Sequence, residues 1–252
     1  MNRLAQTGRC GHAPTGQIGV RVVETIYEDG RYLDANPDWH EADAPFKAGW
    51  IAQLLESNGV AAQTFAEVGC GSGEILVGLQ QRYPTASFAG YDISPQAYAI
   101  CKGKAERNLS FEHSDFLAAR TPQTDVLLAI DVFEHVEDYM GFIRKLKDRA
   151  AFKVFHIPLD LSVQGLLRGK PLIRSRQVVG HLHYFCKDTA LATLTDCGLE
   201  VVSWRYTHGA EKLPGRELRT RILNLPRKLL RAINEDFAVR LLGGASMMVL
   251  TK

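Results

Sequence analysis

Apolar residues along this chain fall into short continuous runs alternating with runs at helical spacing. Phe46, Trp50, Ile51, Leu54 and Leu55 form one helical face, opened by Asp43 and Pro45 and ended by Asn58-Gly59. Thr64 to Val68 then reads as a strand running into Gly69, and a helix carrying Ile75, Leu76 and Leu79 stops before Pro84. A second strand, Ser87 to Tyr91, ends at Asp92, and Ser94-Pro95 opens a helix with the hydroxyl as cap. Leu109 to Glu112 gives a third strand. Asp125 to Ile130 (DVLLAI) gives a fourth, apolar throughout, as in a strand covered on both faces. Val136, Tyr139, Met140, Ile143 and Leu146 mark the next helix, and Phe152 to Ile157 is a fifth strand stopped by Pro158. A helix from Thr189 to Cys197 closes at Gly198, followed by strands at Leu199 to Tyr206 and Ser246 to Thr251.

This alternation predicts an α/β fold, a doubly wound and mostly parallel sheet with helices on both faces. Residues 1–44 read as an N-terminal arm and cap, and residues 45–252 as the main domain. Two segments, about 159–186 and 208–244, exceed ordinary connections and are expected to be functional loops or caps. In open α/β sheets ligands bind beyond the carboxyl ends of the strands.

Composition changes this picture little. At 252 residues, 46% hydrophobic and 23% charged, the chain is long enough to bury a full core without disulfides or metals. A net charge of +2 points to no nucleic-acid partner. The five cysteines are irregularly spaced with no C-x-x-C pair, which suits a reducing cytoplasm. The polar N-terminus lacks the apolar core of a signal peptide, and no run approaches the ~18 apolar residues of a membrane span. A cytoplasmic enzyme is expected, as a monomer or homodimer, with peripheral membrane contact still open.

The chemistry concentrates at strand ends. EVGCGSG, from Glu67 to Gly73, joins the first strand to its helix, and its glycines allow a tight turn and close approach of a ligand. Dinucleotide-binding turns follow G-x-G-x-x-G, whereas here the third glycine is at 73 and position 74 is Glu. An acidic side chain there disfavours a pyrophosphate and suits a cationic ligand without phosphates. Asp92, 19 residues beyond Gly73, is placed to accept both hydroxyls of a ribose. Asp115 and Phe116 follow the third strand, where they either contact an adenine or serve as turn cap and core. Asp131 to Val136 (DVFEHV) follows the fourth strand.

With these motifs in place, the sequence resembles the class I S-adenosylmethionine-dependent methyltransferase family, in its small-molecule branch. EVGCGSG, GYDIS, HSDF and DVFEHV look like its successive cofactor motifs, and HLHYF at 181–185 resembles a late motif of that branch. The resemblance covers roughly residues 45–206 and the last strand. It implies a seven-stranded sheet with the last strand antiparallel between the fifth and sixth. It also implies that Glu67 lies near the methionine amino group, that Gly69 and Gly71 line the methionine moiety and that Asp92 holds the ribose. Cys70, Gly73, Ile93, Asp115, Phe116, Asp131 and Val132 complete the expected cofactor surroundings.

Four histidines are candidate bases near the transferred methyl: His156, His135, His181 and His183. His135 reads equally as a structural histidine, and His156, ending the fifth strand, is better placed for an acceptor hydroxyl. His181 and His183 with Cys186 superficially suggest a metal, but a fourth ligand at usual spacing is missing, so none is expected. Tyr32, Trp39, His40 and Lys47 read either as a cover for the cofactor or, for Trp39, as packing.

Basic residues cluster in and beside both insertions: from Leu161 to Lys187 there are five (Arg168, Lys170, Arg174, Arg176 and Lys187) and no acid, and from Arg205 to Arg240 nine against four acids. They read either as solvated charge or as recognition of an anionic acceptor. Leu218, Ile222, Leu225, Leu229, Leu230 and Ile233 among the second set suggest an amphipathic cap, a membrane-facing helix or a dimer contact. The expected function is methyl transfer from S-adenosylmethionine, at oxygen, to a small or glycan-like acceptor. The alternatives are a non-catalytic S-adenosylmethionine-binding scaffold and an NAD-dependent oxidoreductase.

Overall fold

The computed structural model describes residues 31–36, 39, 41–119, 121–208 and 225–252. The expectations for residues 1–30, His40, Leu218 and Ile222 lie outside the described residues. Seven strands are β1 (Thr64–Val68), β2 (Ser87–Asp92), β3 (Leu109–His113), β4 (Thr124–Ile130), β5 (Ala150–Pro158), β6 (Val201–Thr207) and β7 (Ser246–Thr251). They form one sheet in the order β3-β2-β1-β4-β5-β7-β6, with β1 to β5 parallel and β7 antiparallel to both β5 and β6. This is the expected seven-stranded order.

The helices are α1 (Arg31–Ala35), α2 (Ala44–Ser57), α3 (Glu74–Arg82), α4 (Pro95–Cys101), α5 (Tyr139–Leu146), α6 (Val163–Arg168), α7 (Lys170–Val178), α8 (Lys187–Asp196), α9 (Leu225–Ile233) and α10 (Glu235–Leu242). Central strand β4 explains why the core has two halves. Val126, Leu128 and Ile130 point to one face, where Ile51, Leu54 and Leu55 of α2 and Leu76 and Leu79 of α3 cover them. Leu127 and Ala129 point to the other, against Phe142, Ile143 and Leu146 of α5 and Leu194 of α8. Both faces are dry, so the strand carries no alternating polar residue. Each large buried aliphatic contributes about 1.5–3 kcal/mol to this packing.

The two insertions meet over one end of the sheet. The first folds into α6 and α7 and returns along an irregular stretch to α8. The described part of the second is α9 and α10, and α10 packs on α6. Leu159 N–H donates to Ala245 O at 3.2 Å, tying the entry of one insertion to the exit of the other.

Candidate active site

A cavity of about 740 Å³ opens at the carboxyl ends of the parallel strands, a size typical of small-ligand sites. Its floor is made by Gly69 and Gly71 after β1, Asp92 and Ile93 at β2, Asp131 and Val132 after β4, His156 and Pro158 of β5 and Thr207 of β6. The walls come from Tyr32, Trp39 and Lys47 on one side and from both insertions on the other, including Arg168, His181 and Arg227. The turn between β1 and α3 works because its backbone is left-handed at Gly69 (φ 67°) and Gly73 (φ 79°). A Cβ on Gly69 would stand 2.9 Å from Val132, so the β1 and β4 loops touch because that residue is glycine.

Two buried carboxylates define one half of the cavity. Asp92 Oδ2 accepts from Gly71 N–H and Oδ1 from Ser94 N–H, both at 2.8 Å, so its carboxylate is locked across the mouth of the turn. Burial raises its pKa, opposed by those two amides. Glu67 is buried, and its Oε2 has no hydrogen-bond partner among the described residues. Burial pushes its pKa well up, only partly offset by the charge of Lys47. An unsatisfied buried carboxylate oxygen is costly, and a ligand ammonium would relieve it. Trp39 lies over this half, where a Cβ on Gly71 would meet its ring at 3.6 Å, and Tyr32 packs on it with ring centroids 4.8 Å apart. Glu74 does not stand bare beside the turn: Lys104 pairs with it at 2.6 Å and with Glu41 at 2.8 Å. Its charge is therefore partly neutralised, a point that spacing within the turn does not reveal.

Asp131 sits between the two halves with a left-handed backbone (φ 54°), unusual for a residue other than glycine. Its carboxylate pairs with Lys47 at 2.8 Å and accepts from His156 Nδ1–H at 2.6 Å. Burial alone would raise the Asp131 pKa, but the His156 imidazole and the Lys47 ammonium outweigh it and hold the carboxyl far below the usual range. His156 Nε2 faces Thr207 Oγ1 at 2.8 Å. With Nδ1–H committed to Asp131, a neutral His156 accepts the Thr207 hydroxyl at Nε2.

The remaining histidines separate. His135 and His181 line the cavity side by side, ring centroids 4.9 Å apart. Burial, then the neighbouring His181, lowers the His135 pKa to about 4, so it is neutral at physiological pH. His181 Nδ1–H donates to Asp160 Oδ2 at 2.6 Å, and Ser175 Oγ lies 2.8 Å from the same nitrogen. His183 points elsewhere: its Nε2–H donates to Val136 O at 3.0 Å and its ring packs on Tyr139. It pins the 181–185 stretch to the loop after β4, helped by the Leu182 and His183 amides, which donate to Glu134 O. Cys186, for its part, precedes α8 and contacts Thr189.

Not every expected residue reaches the cavity. Phe116 is buried in the core against Tyr91, with the Arg149 guanidinium over its ring, because the turn after β3 bends under the sheet edge. Asp115 caps that turn by accepting from Leu117 N–H at 2.8 Å. Gly73 is a packing glycine, since a Cβ there would lie 2.6 Å from the Phe111 ring. Conversely, Thr207 and Asp160 line the cavity without a spacing signal, while Glu134, within the DVFEHV motif, lies buried behind it. Thr207 ends an ordinary strand and Asp160 opens an insertion.

Residues 66–151 match the family described as a methyltransferase domain. A trans-aconitate 2-methyltransferase of Rhodopseudomonas palustris (strain BisB5) is 30% identical over 87 residues, a match spanning 34% of this chain and 34% of that protein. The chain therefore matches about a third of the length of this curated relative. Magnesium protoporphyrin IX methyltransferase from Synechocystis PCC 6803, solved with bound SAH, aligns at TM-score 0.61 and 16% identity over 90% of this chain and 98% of its own. The plantazolicin methyltransferase, solved in complex with SAH, aligns at TM-score 0.58 and 15% identity over 92% of this chain and 94% of its own. At such identities the structural likeness is one of fold. The matched segment holds the glycine turn, Asp92 and the β4 loop together. Residues 66–151 thus match the methyltransferase-domain family, and the chain has the Rossmann-like fold seen in solved methyltransferases.

Proposed function

We propose that this protein transfers a methyl group from S-adenosylmethionine to an oxygen of a small or glycan-like acceptor that carries negative charge. The observation that carries the cofactor reading is the pair of buried carboxylates, Glu67 and Asp92, at the ends of neighbouring strands. The glycine turn, whose Gly71 N–H donates to Asp92, lies beside both. Glu67 Oε2 would take the cofactor's amino group, Asp92 its ribose hydroxyls, and Ile93 and Trp39 its apolar flanks. The SAH in two structures of this fold supports the same assignment. S-adenosylmethionine held there would supply an electrophilic methyl on its sulfonium, for transfer to the acceptor oxygen with S-adenosylhomocysteine as the leaving group.

The chain's own work is to align the acceptor and move one proton. Asp131 fixes the tautomer of His156, leaving Nε2 to accept. Thr207 links that nitrogen to the cavity, so the acceptor's hydroxyl proton passes to Thr207 Oγ as the Thr207 proton passes to His156. Arg168 and Arg227, one from each insertion, line the acceptor half. Arg168 pairs with no carboxylate among the described residues, which favours an anionic group on the acceptor.

Isothermal titration with S-adenosylhomocysteine tests the cofactor half. Micromolar binding, about −8 kcal/mol, weakened tenfold or more in Glu67→Gln and Asp92→Ala, supports it; binding of NAD in its place overturns it. Arg168→Glu then tests the acceptor half: cofactor affinity should hold while methylation of anionic acceptors falls. Cofactor binding with no turnover on any oxygen acceptor would favour the scaffold reading.

A further inference from the structure

Beside the proton path lies a group of donors that methyl transfer does not use. The 3-10 turn Phe133–His135 after β4 and the stretch after α7 place Glu134, His135 and His181 so that one ligand atom from each lies within 4.8 Å of the others. Glu134 is completely buried, and neither carboxylate oxygen has a hydrogen-bond partner among the described residues. Burying a carboxyl group this way is costly, and native proteins satisfy such groups with a partner or an ion. Lys47, the nearest candidate cation, is committed to Asp131 at 2.8 Å.

The donor set says which ligand fits. Two imidazoles and one carboxylate form the set that first-row divalent cations take, with positions left for further ligands. The nearest nitrogen, His135 Nε2, stands 3.8 Å from Glu134 Oε1, beyond hydrogen-bond range. Two ligands at bonds of about 2.1 Å around a tetrahedral ion lie roughly 3.4 Å apart, so the Glu134–His135 pair must close by a few tenths of an ångström and the pairs with His181, within 4.8 Å, by up to about 1.4 Å. His181 carries the outer support such ligands have: its Nδ1–H is held by Asp160 at 2.6 Å, which turns Nε2 into the donor atom. His135 and His181 line the cavity whereas Glu134 does not, so Glu134 closes the back of the site and its open positions face the acceptor half.

We propose that Glu134, His135 and His181 bind one divalent first-row cation of the Zn²⁺ or Co²⁺ type, with open coordination positions toward the cavity. Binding of the ion stands independently of the proposed activity; its use as a seat for an acceptor hydroxyl rests on the methyl-transfer reading. The expectation of no metal considered His181, His183 and Cys186, whereas the fold separates those three and supplies Glu134 and His135 instead.

Chelator-treated full-length protein titrated with Co²⁺, followed by visible absorption, and with Zn²⁺, followed by heat, tests the site. One ion per chain at micromolar affinity is expected, with at least tenfold loss in Glu134→Gln and in His181→Ala. Asp160→Asn, which keeps the ligands and weakens their support, should lose several-fold. Thermal melts and S-adenosylhomocysteine binding on the same samples separate a lost site from a lost fold. No cation binding, or binding unchanged in folded Glu134→Gln and Asp160→Asn, overturns the proposal. Cation binding without S-adenosylhomocysteine binding would sustain this site while removing the methyl-transfer reading.

Discussion

Asp131 and His156 are joined twice across adjacent strands: Asp131 N–H donates to His156 O at 3.1 Å, and His156 Nδ1–H donates to the Asp131 carboxylate at 2.6 Å. The backbone bond continues the parallel β4–β5 ladder one residue beyond the strand, and the left-handed turn at Asp131 swings its side chain back onto the imidazole. The ring is therefore fixed in plane and tautomer by the sheet itself.

That double link predicts separable effects of substitution. Asp131→Asn should lower turnover about 100-fold, within the range for loss of an oriented base, and His156→Asn by as much or more. S-adenosylhomocysteine affinity should change little in His156→Asn. Steady-state rates with parallel titration calorimetry check this, and unchanged turnover in His156→Asn would remove the proton path through Thr207.

Stability against acid follows from the same carboxylate. The Asp131 pKa is depressed in the folded chain, so its contribution is fully present above the unfolded value of about 3.9 and is lost as pH falls through and below it. Thermal melts from pH 7 down to pH 3 should show a steeper loss of Tm below about pH 4 in the parent protein than in Asp131→Asn. Parallel curves would mean that Lys47 and His156 do not stabilise the ionised form.

Glu67 has the opposite sign. Its raised pKa means that the folded chain holds a proton the unfolded chain has released, so its contribution to stability falls as pH rises above about 4.3. Glu67→Gln should therefore raise the Tm of ligand-free protein at pH 7 to 8 and weaken S-adenosylhomocysteine at least tenfold. A lowered Tm would show that the carboxylate is satisfied without ligand.

Gly73 tests packing apart from chemistry. Its φ of 79° and the Phe111 ring 2.6 Å from a would-be Cβ make Gly73→Ala destabilising by about 2–4 kcal/mol from strain and overpacking together. Urea unfolding measures it, and a cost under about 0.5 kcal/mol would mean that the turn relaxes freely.

What the sequence by itself determined is the frame. Strand and helix periods are local properties of the chain, so DVLLAI reads as a doubly covered strand and EVGCGSG as a turn no side chain can enter. Asp92, at the end of its strand, lies at the mouth of that turn because strand ends in a parallel sheet share one edge. The tertiary structure decided the rest. Four histidines at 135, 156, 181 and 183 are alike as letters, yet one faces Thr207, two face each other and one anchors a loop to backbone carbonyls. Phe116 turned inward to the core, and Glu134 came to lie with two imidazoles. Those outcomes depend on contacts between residues 21 to 51 positions apart, such as Asp160 with His181 and His156 with Thr207. Separations of that size carry no periodic signal, because only the packing of β4, β5 and the insertions brings the partners within hydrogen-bond reach.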